Sequence, residues 1–406
     1  MDFESKKRKL ASPNPWQRDP KEASITFDDM NYLMNHALKR PKFAALLVKH
    51  NICLDMYSKR AVLKASPSIV GLISYSGKEE IFQGSGTIIE SDGNSGVILT
   101  SATLIRCRMG RNSVADDVKV VAHLSNGHSF DCQILAFDFH YNIAALKIQS
   151  ESDAPLPTAC LAHLDDSISV DPNQLYIREE KPFQLRPHSK SFNLIPGDTL
   201  IALGRYFIKP YDVMATTGEF SLDCCEYDCK ELLRVNCQIT RCGIGGPFIN
   251  YYGEVMGICF HDMGFTPFLP INVASKWWEH YKRCGEPRRP WLGMEVTNLY
   301  AADVDILEKI VQKFPNVFKG VIVEEVMAGS SADSAGISPN DVIVQFGGKT
   351  IKSFLELFEA MWDKVGDPVE VIVIRASNSV PLRLSMVVDE ATSDNLYSWP
   401  LWEHAR

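Results

Sequence analysis

The chain has 406 residues, 45% of them hydrophobic and 23% charged: enough for two or three domains, and a composition that excludes wholesale disorder. Its formal net charge of −8, from 42 basic and 50 acidic residues, offers no global positive field to a nucleic-acid backbone. No apolar run reaches the roughly 18 residues of a membrane-crossing helix, so neither nucleic acid nor a bilayer is an expected partner.

In chain order, residues 1–24 hold the basic run Lys6, Lys7, Arg8 and Lys9, then three prolines and little apolar material, and are expected to form a disordered tail. Such a run suits the acidic groove of an import receptor and equally a solvated charge cluster. Over 25–64, apolar residues recur at three- and four-residue steps, which predicts a helical lead-in. From Pro67 the texture changes to short β-branched runs bounded by Gly and polar turns: Ile69–Ile73, Gly86–Ile89, Val97–Thr100, Val118–Leu124, Ile143–Ile148, Thr199–Leu203 and Val255–Phe260. Strands at this spacing over 65–285 predict an all-β sandwich or barrel, in a span long enough for two barrels. A Pro- and Arg-rich hinge, Glu286–Pro290, then opens an α+β unit over 286–392. Its expected strands are Trp291–Val296, Gly320–Val326, Asp341–Phe346, Val369–Arg375 and Leu382–Val388, with helices at Val304–Phe314 and Phe354–Trp362. Residues 393–406 read as a loose tail.

The 11 cysteines, from Cys53 to Cys284, follow no recognisable secretory leader and read as reduced thiols of a nuclear or cytoplasmic protein. The cluster Cys224, Cys225, Cys229, Cys237 and Cys242 lacks paired CxxC spacing and flanking His, so structural thiols are expected and neither metal nor cofactor.

Four stretches in register carry a resemblance. They are Gly84-Ser85-Gly86-Thr87-Ile88-Ile89; Ile98-Leu99-Thr100-Ser101-Ala102-Thr103; Asn142-Ile143-Ala144-Ala145-Leu146-Lys147-Ile148; and Gly245-Gly246-Pro247-Phe248-Ile249-Asn250 running into Gly253-Glu254-Val255-Met256-Gly257-Ile258. With the unit behind them, they resemble the trypsin-like domain and following PDZ domain of the Do-like (Deg/HtrA) serine proteases. The implied fold is all-β dominated: a trypsin-like double β-barrel, then a PDZ domain, behind a short helical lead-in. The resemblance also implies a possible homo-oligomer, a trimer in that family.

The resemblance departs at the catalytic positions. Where the family carries His, Asp and Ser, this chain has Thr103, Asn142 and Ile244. A hydrocarbon side chain offers no lone pair for attack on a carbonyl. A threonine hydroxyl does not take a proton near neutral pH, and a neutral amide cannot stabilise an imidazolium. In the oxyanion turn Cys242 and Gly243 replace the family's Gly and Asn, ahead of Gly245, so its amide donors need not converge. The alternative is an active endopeptidase, either serine-type with its active residues at other positions or with a relocated nucleophile, Cys242 as thiol and His140 as base. Ile244 fits two roles, core filler in the vacated space or apolar contact to an extended peptide.

Trp291-Leu292-Gly293-Met294 resembles the carboxylate-binding loop of the PDZ domain. That implies a partner's C-terminus held on backbone amides, paired with the strand from Met294, its last side chain in a pocket of Leu292, Met294, Leu357, Phe358 and Met361. Leu357, Phe358 and Met361 fit ordinary helix core equally well. The long segment 297–319 is a candidate cover for that pocket. The expected function is a proteolytically inactive scaffold for C-termini and extended peptides.

Overall fold

The computed structural model describes residues 54–392 except 108–111, 151–154, 175–190, 208, 223–224, 226–228, 263, 287 and 379. The run Lys6–Lys9, the lead-in before residue 54, Cys53, Cys224 and the tail from 393 lie outside the described residues. All described residues belong to one compact unit, Lys49–Arg406.

The described part opens with helix α1 (Met56–Ala65). Asp55 caps it, its carboxylate accepting from the amides of Tyr57 at 2.8 Å and Ser58 at 3.0 Å, which satisfies two otherwise orphan donors.

Six strands follow: β1 (Ile69–Ser76), β2 (Glu79–Asp92), β3 (Ser95–Ser101), β4 (Val118–His123), β5 (Ser129–Asp138) and β6 (Ile143–Gln149). They close into a barrel in the order β1-β2-β3-β6-β5-β4, filled by Val70, Leu72, Ile88, Ile98, Leu104 and Leu146. Gly86 is required where β2 crosses the interior, because a Cβ there would stand 2.5 Å from Ile98 Cγ2 and 2.9 Å from Leu72 Cδ1.

The connection carries the short strands β7 (Cys160–Leu161), β8 (Leu164–Asp165) and β9 (Phe192–Asn193). The second barrel comprises β10 (Thr199–Arg205), β11 (Val213–Ser221), β12 (Leu233–Asn236), β13 (Pro247–Ile249), β14 (Glu254–Cys259) and β15 (Thr266–Pro270). The ring β13-β10-β11-β12-β15-β14 closes through pairing of β13 with β14, and β7 adds outside β14 in parallel. Closure leaves neither barrel a long free edge. Helix α2 (Ile271–Cys284) then packs the fully buried Trp277 inward and ends at Gly285 in the left-handed conformation.

The last unit runs β16 (Pro290–Trp291), β17 (Met294–Asn298), α3 (Val304–Lys313), β18 (Val321–Val326), α4 (Ser331–Ala335), β19 (Val342–Phe346), β20 (Lys349–Thr350), α5 (Phe354–Trp362), β21 (Pro368–Ile374), β22 (Leu382–Val387) and β23 (Asp389–Glu390). Its sheet has the order β17-β18-β19-β21-β22, with β17 at the edge; β16 pairs with β23. The strand expected over Trp291–Val296 is broken in two, because Gly293 adopts φ +69 and turns the chain.

Two expectations about the seam are corrected. Glu286–Pro290 is no free hinge: Arg289 is 9% exposed and its Nε lies 3.3 Å from the buried Asp138 carboxylate at the end of β5. Segment 297–319 does not cover the pocket at β17; its helix α3 packs Ile310 against Leu299, Ile322, Val342 and Ile374 at the far side of the sheet. Further bonds tie the last unit to the barrels, among them Asn298 Nδ2 to Asp166 Oδ2 at 2.8 Å, Asn272 Nδ2 to Glu359 Oε1 at 2.8 Å and the Val170 amide to the Phe318 carbonyl at 2.9 Å.

Candidate functional site

The first candidate centre lies between the barrels. Thr103 sits in a single 3₁₀ turn at the end of β3, and Asn142 immediately before β6 with φ +51, a left-handed conformation that Asn tolerates. The Ala102 amide donates to the Asn142 carbonyl at 2.9 Å, which fixes the two segments together. Thr103 Oγ1 lies 3.1 Å from Asn142 Oδ1 and 3.0 Å from Nδ2. One hydrogen bond joins the side chains, and both groups are neutral.

Ile244 comes from the other barrel, at the end of a 3₁₀ turn over Arg241–Gly243, and is 4% exposed. Its carbonyl accepts from the Ser85 amide at 2.8 Å. A Cβ on Gly245 would stand 2.4 Å from Thr100 Oγ1 and 2.7 Å from the Ser101 amide, so the turn lies directly on the strand end that leads to Thr103. The turn consumes its own donors: Gly243 N–H reaches Thr240 O at 2.9 Å, Ile244 N–H Arg241 O at 3.1 Å, Gly245 N–H Cys259 O at 2.8 Å and Gly246 N–H Gly243 O at 3.0 Å. Amides closed into a tight turn do not stabilise an oxyanion in a cleft, because oxyanion stabilisation needs donors aimed at the reacting oxygen.

Cys242 and His140 are not brought together as nucleophile and base. Cys242 is 2% exposed, its Sγ lies 2.8 Å from Thr240 Oγ1, and burial pushes the thiol up to about 11. A thiol at that value carries negligible thiolate at neutral pH. His140 is also buried, and burial with the nearby Arg289 charge brings its imidazole down to about 3. It faces Glu231 and Cys229 instead: Nε2 is 3.9 Å from Glu231 Oε2, an approach of a neutral ring and no ion pair at pH 7.

The second candidate centre is the groove between β17 and α5. Gly293 is obligatory in the loop between β16 and β17, since at φ +69 a Cβ would stand 2.2 Å from Ser330 Cβ. The Gly293 carbonyl accepts from the Met327 amide at 2.9 Å and from Ser330 Oγ at 3.0 Å, which holds the loop closed. Beside it lies a cavity of about 100 Å³. Leu292, Met294 and Met361 line it as expected for these residues, whereas Leu357 and Phe358 are fully buried in the core and do not reach it; Phe354, one turn earlier on α5, takes their place.

The opposite wall of that cavity is barrel. His140, Tyr141 and Glu231 line it, and Lys230 Nζ lies 3.6 Å from Glu295 Oε2 on β17. Tyr141, 1% exposed, sets its ring 6.3 Å from Phe358 and 6.2 Å from Trp362. No local pattern signals this wall, because its residues lie 60–154 positions before the loop at 291–294 that they face. A volume of about 100 Å³ falls short of the roughly 300–1,000 Å³ of ordinary ligand pockets and admits at most one small side chain.

Residues 84–258 match the family model of a trypsin-like peptidase domain, and residues 290–386 that of a PDZ domain. The Arabidopsis thaliana protein named as protease Do-like 14 is 31% identical over 354 residues, covering 82% of this chain and 72% of that relative. Mitochondrial serine protease HTRA2 of Bos taurus is 24% identical over 84% of this chain and 68% of its own. Among solved structures, the HtrA-type protease AlgW with tripeptide superposes at a TM-score of 0.53, with 20% identity, over 83% of this chain and 98% of that one.

Proposed function

Since the chain belongs to the Do-like (HtrA) family, with a trypsin-like domain followed by a PDZ domain, we propose that it is a proteolytically inactive member that binds protein C-termini and extended peptides through the PDZ groove. The observation that carries the reading is the composition of the interbarrel centre. Ile244, at the position where the resemblance implies a nucleophile, presents a saturated branch; the facing pair Thr103 and Asn142 is neutral. Its turn spends the Ile244 amide on Arg241, so the electrophilic half of the chemistry is weakened together with the nucleophilic half. A trypsin-like site stripped of its triad keeps on the order of 10³–10⁴ over water when its oxyanion hole is intact, and less here.

In the binding reading, a partner strand adds to edge strand β17, its terminal carboxylate lies on the amides of Leu292, Gly293 and Met294, and its last side chain enters the cavity beside Met361. Because the barrel walls the groove, a peptide of several residues requires the Lys230–Glu295 pair and the Tyr141 contact to open. Titration of the protein with a fluorescent peptide ending in Val, and with the same peptide amidated at its C-terminus, tests this. The free carboxylate is expected to bind and the amide to bind on the order of tenfold or more weakly, since a charge-assisted contact is lost. Equal affinities would refute the carboxylate mode. The Lys6–Lys9 run supports a nuclear or cytoplasmic location as part of this proposal, and its deletion with unchanged cellular distribution would count against the nuclear one.

A further inference from the structure

The turn before β6 and the loop between β11 and β12 bring three metal-ligating side chains to one point. His140, Cys229 and Glu231 place an imidazole nitrogen, a thiol sulfur and a carboxylate oxygen within 4.8 Å of one another. Cys229 Sγ donates to Glu231 Oε2 at 3.3 Å, and His140 Nε2 lies 3.9 Å from the same oxygen. For a tetrahedral Zn²⁺ with ordinary bond lengths, ligand atoms stand roughly 3.3–3.7 Å apart. The sulfur–oxygen spacing already has that value, the nitrogen–oxygen spacing is a few tenths of an ångström long, and small side-chain rotations close the rest.

We propose that His140, Cys229 and Glu231 form a three-ligand site for Zn²⁺, or another borderline-soft divalent ion, at the seam between the barrels and the PDZ groove. Mixed thiolate, imidazole and carboxylate donors suit zinc and cobalt and disfavour calcium and magnesium, which take oxygen ligands only. Three protein ligands leave one coordination position, and because His140 and Glu231 both line the cavity beside Leu292 and Met294, that position opens towards the peptide groove. A water or a peptide carboxylate is the chemistry it would take.

The charges favour such an ion. Cys229 is 3% exposed and the Glu231 side chain 15%, so a thiolate and a carboxylate side by side there have little solvent to offset their charges, which a cation would do. Without a cation the pair keeps the thiol proton between sulfur and oxygen. On binding, that proton leaves to solvent, the sulfur–metal and oxygen–metal bonds form, and the two negative charges balance the ion. Arg289, whose Nε lies 3.3 Å from Asp138 Oδ2, shares the cavity wall, and its pairing with that carboxylate offsets part of its charge.

The inference stands apart from the loss of proteolysis and is tested without any activity. Purified full-length protein in a non-chelating reductant is titrated with Co²⁺, and the near-ultraviolet thiolate-to-cobalt charge-transfer band and the visible bands of tetrahedral cobalt are recorded. One equivalent is expected to saturate both. Cys229→Ser should abolish the charge-transfer band, His140→Gln should weaken binding by on the order of a hundredfold, and Cys259→Ser, a fully buried thiol outside the cluster, should change nothing. Should Cys229→Ser fold poorly, Glu231→Gln and thermal melting replace it: Zn²⁺ is expected to raise the melting temperature of wild type and not of Glu231→Gln. No cobalt band in wild type, a band that survives Cys229→Ser, or an equal Zn²⁺ shift in wild type and Glu231→Gln would overturn the site.

Discussion

Replacing Tyr141 by Ala is expected to release the PDZ groove. The ring is 1% exposed and touches Phe358 and Trp362 of α5, with the Arg289 guanidinium 5.8 Å from its centroid. Truncating a buried aromatic of this size costs about 3–5 kcal/mol. Tyr141 belongs to the barrel and packs on the PDZ helix, so about half of that, roughly 2 kcal/mol, comes from contacts that exist only in the docked state. A 2 kcal/mol shift between docked and open forms changes the population ratio roughly thirtyfold. If peptide binds the open form, its apparent affinity rises by up to that factor. Fluorescence anisotropy with the Val-terminated peptide measures it, with Lys230→Ala as companion. That variant loses only a half-exposed ion pair of roughly 0.2–1 kcal/mol and should tighten binding less than about fivefold. An unchanged or weakened affinity in Tyr141→Ala, in a variant that retains its secondary structure, would refute the view that the barrel restrains the groove.

Other substitutions probe the supporting structure. Gly293→Ala forces a side chain into φ +69 and onto Ser330, which costs about 2–5 kcal/mol and should lower the melting temperature and abolish peptide binding; an unchanged melting curve would contradict the geometry. Arg375→Ala strips two 2.7 Å bonds from the fully buried carboxylate of Asp341, and urea unfolding should show a loss of about 3 kcal/mol, against less than 1 if the pair were a surface ornament. Burial lowers the His261 imidazole to about 4, with Asp262 partly opposing. The unfolded chain then takes up that proton near pH 6.5 and the folded one only near pH 4, so this stabilisation is complete above about pH 6.5 and is lost as pH falls towards 4. His261→Gln should flatten the acid limb of stability against pH by at most about 1.4 kcal/mol per pH unit, and an identical slope would argue that the ring titrates normally.

The order of two barrels and a PDZ unit was legible because β-branched runs such as Ile143–Ile148 and the helix Phe354–Trp362 carry their period in the sequence. Other strands were not. Strand β15 reads Thr-Pro-Phe-Leu-Pro, and two prolines argue against an interior strand; it nonetheless pairs with β12 and β14, Pro267 opposite Arg234 and Pro270 opposite Gly257, and the Pro267 carbonyl accepts from the Phe260 amide at 2.8 Å. The Gly293 break inside the expected strand Trp291–Val296 follows from a left-handed turn packed against Ser330, a contact 37 positions away that no local pattern signals.

At the sites, the substitutions Thr103, Asn142 and Ile244 show in the sequence because short motifs bracket them, but the hydrogen bond between the first two belongs to the fold. The metal cluster was hidden for a different reason. Cys229 and Glu231 lie two residues apart, and the missing His comes from a turn 89 positions upstream, so no local spacing announces the set. The barrel wall over the PDZ groove is hidden in the same way, being a contact between residues far apart in the chain.

With Ile244 in place of a nucleophile, no group in the barrels is expected to attack a peptide bond. Turnover of fluorogenic casein by rigorously purified protein, run beside Cys242→Ala and followed by mass spectrometry after exposure to a fluorophosphonate and to a thiol-reactive trap, tests it most directly. Both proteins should give a rate equal to the buffer blank, with no fluorophosphonate adduct on any barrel residue. Turnover that scales with protein concentration and disappears in Cys242→Ala, or a fluorophosphonate adduct within the barrels, would contradict it.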